Sequence, residues 1–295
     1  FIPSGRVQYL PMYDYAGDKT AKSLASGESI SFKAEKLVNA TYMNVTVPSM
    51  RKPGYQVDEG VACVAPNELA RLQGQDERFV VIGAGKTGMD ACLFLLRNGV
   101  DPDAISWVMP RDSWMLDRAN IQPGKLFAES LGKAFALQTE VFAKAESVEE
   151  ALLQIAAQGG LLRFDEEVWP TMYRCATVTH AELEQLRRIS NIIRLGRVQR
   201  ITPHEIHLDE GTVATSAATL HIDCSADGLE RRPAVPVFAG EQITLQAVRT
   251  CQQVFSAAFI GHVEAAYEEE QTKYEVSFRV PHADSELDFL KTCLG

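Results

Sequence analysis

Residues Gly83-Ala84-Gly85-Lys86-Thr87-Gly88 form a G-x-G-x-x-G loop. The first glycine permits a tight turn, the second lets a pyrophosphate approach the backbone, and the third lets a helix pack closely on a strand. The chemistry of such a loop is anion binding. Free N–H groups and the positive dipole end of the following helix face the phosphates. Lys86 adds a positive charge inside the loop, or pairs with Asp90 at i+4.

A glycine loop carries weight only in the right setting. Residues 79–82 (FVVI) form a short β-rich burst before it. From 86 to 98 the period changes: Met89, Cys92, Leu93 and Leu96 stand at i, i+3, i+4 and i+7, one face of a helix that Gly99 closes. Residues 105–109 (ISWVM) are a second buried-strand candidate. Strand, glycine turn, helix and strand together make one βαβ unit.

The end of that second strand bears on which nucleotide is held. NAD-binding versions place a carboxylate there for the ribose hydroxyls. Here the chain reads Met109-Pro110-Arg111-Asp112. Arg111 stands near the place of a 2'-phosphate and favours NADP; its alternative role is an ion pair, with Asp112 as partner. Other candidates are poorer. His204 and His207 have no third ligand nearby, Asp165-Glu166-Glu167 reads as a solvated charge run, and Cys224 reads as core. The sequence identifies no catalytic acid or base and no metal site.

The formal net charge of −10 argues against nonspecific nucleic-acid binding, which needs a basic face. No apolar run approaches the roughly 20 residues of a membrane-spanning helix, and the start shows no secretory signal. The expected setting is cytoplasmic and the expected partner a small-molecule substrate. The six cysteines, with no C-x-x-C pair, are expected as free thiols.

Around the βαβ unit, 29–33 and 36–41 read as strands, and Pro48 and Pro53 punctuate a linker. The stretch 123–190 reads as mostly helical. Within it Ser147 and Glu150 resemble a capping box for 148–157, and Thr179-His180 open a helix through 188. Strands are expected at 192–202, 205–208 and 219–224, and a helix at 247–261.

With these flanks the arrangement resembles the flavin-dependent, two-dinucleotide oxidoreductases, most closely the branch of the flavin-containing monooxygenases. Lys36-Leu-Val-Asn-Ala-Thr41 followed by Pro48 looks like the first crossing between the two domains of that family. Residues 220–228 (LHIDCSADG) followed by Pro233 look like the second. Tyr42 stands where Gly is usual and Asp227 where Thr is usual, and the F-x-G-x-x-x-H fingerprint is absent. The resemblance implies an α/β fold, with a Rossmann-type NAD(P)-binding domain at 54–212 inserted in a partial FAD-binding domain made of 1–53 and 213–295. It implies hydride transfer from NADPH to flavin, and from flavin to oxygen or another acceptor. The one glycine loop matches the nicotinamide nucleotide site, with Gly83, Gly85, Lys86, Thr87, Gly88 and Arg111 as cofactor-binding residues. FAD would belong to the intact protein: Phe1 reads as the interior of a longer chain, whose earlier part would carry the flavin loop. Two other readings stay open. One is a non-catalytic NAD(P)-binding module. The other is a flavin-free dehydrogenase, which needs a Tyr or His acid at the nicotinamide.

Overall fold

The computed structural model describes residues 1–71, 77–122, 124–230, 232–249, 251–280 and 282–294. Pro123, where the mostly helical stretch was expected to begin, and Gly295 lie outside the described residues.

The centre of the molecule is a parallel five-stranded sheet. Its strands are β1 (Cys63–Val64), β2 (Arg78–Ile82), β3 (Ile105–Val108), β6 (Asn191–Ile193) and β7 (Thr219–Asp223). Between β3 and β6 the chain forms a second, two-stranded parallel pair, β4 (Ser113–Asp117) and β5 (Met172–Val178). The spatial order of the main sheet is β6-β3-β2-β7-β1. Helix α1 (Lys86–Arg97) joins β2 to β3, as the apolar period requires. The later strand β7 then pairs on the other side of β2, so strand order reverses at β2. The sheet takes in strands on both sides of residue 212.

Alternation along the strands separates the two faces. Phe79, Val81, Ile105, Trp107, Leu220 and Ile222 pack against α1, through Met89, Cys92 and Leu93, and against α4 (His180–Leu186), through Leu183 and Leu186. Val80, Ile82, Val108 and Ile193 point the other way, onto Val198, Ile201, Ile206 and Leu208. Those four residues belong to a four-stranded sheet of Gln56–Val57, Val198–Ile201, Glu205–Leu208 and Gly211–Ala214. A parallel sheet needs apolar cover on both faces; here helices cover one and strands the other. The expected strand at 192–202 is two strands, β6 and Val198–Ile201, one in each layer.

The stretch 123–190 departs from expectation. Helices α2 (Phe127–Lys144), α3 (Val148–Ala157) and α4 are present, but β5 lies between them. Its Tyr, Thr and Val favour a pleated strand, and parallel pairing with β4 and burial of Tyr173 and Val178 fix it there. At the N-terminus of α3 Ser147 accepts from the Glu150 N–H, while the Glu150 carboxylate accepts from Glu146 rather than closing the box. The complete capping box is at α4, between Thr179 and Glu182. The expected helix at 247–261 is displaced to α5 (Gln253–Ala266); the chain continues through α6 (Glu270–Val276) and α7 (Glu286–Leu294).

A satellite core joins the inserted segment to the C-terminal helix. Trp114, Leu152, Ile155 and Tyr173 enclose Phe289 of α7, with the Tyr173 and Phe289 rings edge to face at 5.0 Å. Leu37–Asn39 pairs in parallel with Gln242–Thr244 in a separate small sheet. The segments after the two expected crossings meet, Val45–Thr46 pairing antiparallel with Gly228–Leu229.

The expectation of six free thiols is overturned. Cys175 of β5 and Cys251 form a disulfide across 76 residues of sequence, a juxtaposition made by tertiary packing that no local spacing announces. Cys63, Cys92, Cys224 and Cys293 are free. Alkylation in denaturant without reductant is expected to modify four cysteines, and all six after reduction, read by intact mass. Closing a loop of this length stabilises a fold by up to about 4.5 kcal/mol in the chain-entropy model, so reduction lowers the denaturation midpoint. Six modified cysteines without reductant would refute the bridge.

Candidate functional site

The glycine loop begins where β2 ends. Gly83 has φ +121°, and a Cβ there would lie 2.6 Å from the Cys224 carbonyl oxygen. Its own carbonyl accepts a 2.9 Å hydrogen bond from the buried indole Nε1 of Trp107 on β3. The same oxygen lies against Gly88, where a Cβ would come within 2.0 Å of it. The first and third glycines of the loop are thus structural. Gly85 differs: a Cβ there would meet nothing within 4 Å. Gly85 is also the N-cap of α1 and offers no side-chain cap, which leaves the first-turn N–H groups open to a ligand.

These residues open on a cavity of about 730 Å³ at the point where strand order reverses. In open α/β sheets that crevice, at the carboxyl ends of the strands, is where ligands bind. The cavity contains Gly83, Gly85, Lys86, Thr87 and Arg111 from the sequence-derived set; Gly88 sits behind the loop as packing. Arg51, Arg174 and Arg197 also line it. In a chain of net charge −10, the described residues that line this cavity include five cationic side chains and two carboxylates, Asp227 and Glu230.

Three of the cations are held by carboxylates, and Arg51 donates to the Lys52 carbonyl at 2.8 Å. Lys86 pairs with Asp90 one turn along α1. Arg111 donates to Asp284 Oδ1 at 2.9 Å, and Arg174 donates to the same oxygen at 2.6 Å and to Asp227 at 3.0 Å. The alternative partner for Arg111 is not used: Asp112 is buried and bound by Arg194 at 2.8 Å. Burial raises the Asp284 carboxyl, and the Arg111 and Arg174 guanidiniums more than reverse that, holding it well below the usual carboxylate range.

A second polar cluster lies beside the loop. Asp223, at the end of β7, is buried; its Oδ1 accepts from the Ser225 N–H at 3.0 Å. Tyr55 lines the cavity, with its hydroxyl 3.9 Å from the Cys63 sulfur. Burial, then the neighbouring Cys63 and Asp223, push the Tyr55 phenol far above its usual range, so it can donate a hydrogen bond but cannot serve as a base. Burial likewise pushes up the Cys224 thiol, in keeping with a core role.

His204 and His207 stand at a distant hairpin, and the described residues contain no group of three or more metal-ligating side chains. No helix among them is long and apolar enough to cross a membrane. Sequence reading missed Arg51, Tyr55, Arg174 and Arg197. Arg174 lies in the β-forming run Met172–Val178 and Arg197 in the stretch 192–202 expected as a strand, and neither run marks its arginine as a cavity residue.

No family model matches the chain. It is 52% identical over 290 residues to uncharacterized proteins of Mycobacterium tuberculosis and Mycobacterium bovis. The match takes in 98% of this chain but 54% of the relative, so the chain spans about half the length of the curated relatives it matches. Among solved structures, a FAD-dependent pyridine nucleotide-disulphide oxidoreductase from Desulfovibrio vulgaris matches at 14% identity and a TM-score of 0.26, over 71% of this chain and 40% of that one. DfoA bound to FAD, a cadaverine monooxygenase of the desferrioxamine pathway in Erwinia amylovora, matches at 14% identity and a TM-score of 0.33, over 74% and 50%. Superpositions this loose carry no argument about activity.

The two kinds of glycine separate by experiment. Gly88→Ala forces a Cβ onto the Gly83 carbonyl; overpacking of this sort costs about 1–3 kcal/mol. The melting temperature is expected to fall by roughly 3–10 °C. Gly85→Ala leaves it within about 1 °C by the same scaling. Calorimetry of the two variants checks this, and equal losses would contradict the assigned geometry.

Proposed function

We propose that the cavity binds a nicotinamide dinucleotide, NADP by preference, and that the protein is an oxidoreductase. One observation carries this reading: an uncapped helix N-terminus, behind a glycine open to the cavity, sits among five cations in an otherwise acidic chain. A pyrophosphate fits such a cradle, because the backbone N–H groups supply donors and the arginines supply charge. Arg111 and Arg174, beyond β3, stand on the side where a 2'-phosphate lies in folds of this kind. Arg51 and Tyr55 line the cavity as well, and the Tyr55 hydroxyl can donate to a bound group. The bound cofactor supplies hydride transfer; the chain's own residues hold, orient and exclude water.

FAD does not fit the described residues in the same way. The Leu37–Asn39 strand and its neighbours Phe238–Ala239 and Gln242–Thr244 carry no second strand–glycine–helix turn. A flavin cradle is therefore proposed for the remaining length of the relatives. Flavoprotein chemistry of monooxygenase-like type, acting on a small-molecule substrate, is proposed for the whole protein, and no step of it is assigned to residues of this chain.

The test is a titration of the chain with NADPH and NADH, followed by nucleotide fluorescence. NADPH is expected to bind with the lower dissociation constant. Gly85→Val should abolish binding of both while leaving the melting curve intact, because its side chain fills the space of the pyrophosphate. A variant that binds NADPH unchanged would overturn the site.

A further inference from the structure

The carboxylate of Asp284 lies where the cavity's two best-placed arginines converge. It accepts from Arg111 at 2.9 Å and from the Nε and NH2 of Arg174 at 2.8 and 2.6 Å. It comes from a distant part of the chain, the turn that leads into α7. A carboxylate oxygen and a phosphate oxygen present the same chemistry to a guanidinium, an anionic acceptor of charge-assisted hydrogen bonds; here all three bonds converge on Asp284 Oδ1. We propose that Asp284 is a specificity-determining residue: it occupies the arginine pair in the nucleotide-free protein, so that a ligand 2'-phosphate binds there only by exchange with it. This rests on the nucleotide reading above and assigns that same site its discrimination between NADP and NAD.

The local structure allows the exchange. The main chain at Asp284 is held without its carboxylate: its N–H donates to Asp288 Oδ2 at 3.0 Å, and its carbonyl accepts from the Tyr173 N–H at 3.0 Å. Asp288 Oδ2 also takes the Ser285 N–H at 2.9 Å, and Phe289 is buried against Trp114 and Tyr173. The turn and helix are therefore fixed by other groups, and the carboxylate can rotate away about its own side-chain bonds. The Arg111 and Asp284 side chains are partly exposed, at 32% and 24%, so an incoming anion can reach them from the cavity. Arg174 keeps its second partner, Asp227, throughout.

The consequence is a muted preference. Hydrogen bonds to a charged group contribute about 1.5–3 kcal/mol, equivalent to roughly tenfold to hundredfold in affinity. Exchange of one anion for another returns only part of that. NADH, with a hydroxyl at the 2' position, leaves Asp284 in place and binds without regard to it.

The experiment measures dissociation constants for NADPH and NADH, in low salt, on the unaltered chain and on Asp284→Asn. The asparagine keeps the shape and removes the charge. In the unaltered chain NADPH is expected to be favoured over NADH by less than about tenfold. In D284N the preference should rise by about tenfold, through tighter NADPH binding, with NADH changed by less than about twofold. A hundredfold preference in the unaltered chain would overturn the proposal without any variant, which keeps the test open should D284N fail to fold. Equal changes for both nucleotides in D284N, or weaker NADPH binding, would overturn it while leaving the nucleotide site standing. Failure of the unaltered chain to bind either nucleotide would overturn the nucleotide reading and this inference together.

Discussion

The carbonyl of Gly83 is the constraint around which the site is organised. It is wedged between the Trp107 indole and the bare Cα of Gly88. The indole satisfies an oxygen that would otherwise be buried without a partner, and such an oxygen costs about 1–3 kcal/mol. The bare Cα lets α1 approach β2 closely enough for Met89, Cys92 and Leu93 to reach the sheet. With that oxygen fixed, the loop has one course, Gly85 is left at the cavity wall, and the first turn of α1 points into the crevice.

Charge is the second organising quantity, and it is local. The chain as a whole repels anions, yet the crevice concentrates arginines contributed by the Gly54 approach, the end of β3, β5 and the segment before Val198. Low-dielectric walls strengthen such a field above that of the same charges spread over the surface. The arginines do not stand open. Arg111 and Arg174 are held by carboxylates, which orients their guanidinium planes and spares the fold the repulsion of adjacent cations.

The βαβ unit was legible because its signal is local: glycine spacing, a change of period from 2 to 3.6, and apolar strands within about 30 residues. The pairing of Lys86 with Asp90 followed from the same helical geometry. What the sequence hid was whatever depends on distant neighbours. β5 is a seven-residue strand that owes its state to pairing with β4, so a window centred on it competes with the helices on either side. Asp284 lies 173 residues from Arg111, and Cys251 lies 76 from Cys175; no periodicity records either meeting. Asp112, the chain neighbour offered as the ion-pair partner of Arg111, turns inward to Arg194 instead.

The disulfide has a bearing on Arg174, which precedes Cys175. The register of β4 on β5 slips between Trp114 and Leu116, and Cys175 takes a positive φ of 56° in the resulting bulge. A bulge of this kind re-aims side chains. The residue before Arg174 is tied by its N–H to the Asp284 carbonyl, and the residue after it is covalently bound to Cys251. Backbone freedom at Arg174 has thus been surrendered during folding. Its guanidinium is held in turn by Asp284 and Asp227, so an anion that reaches it avoids much of the about 0.5–1.5 kcal/mol that ordering one long side chain costs. The entropy of recognition is spent in advance by a covalent bond outside the crevice.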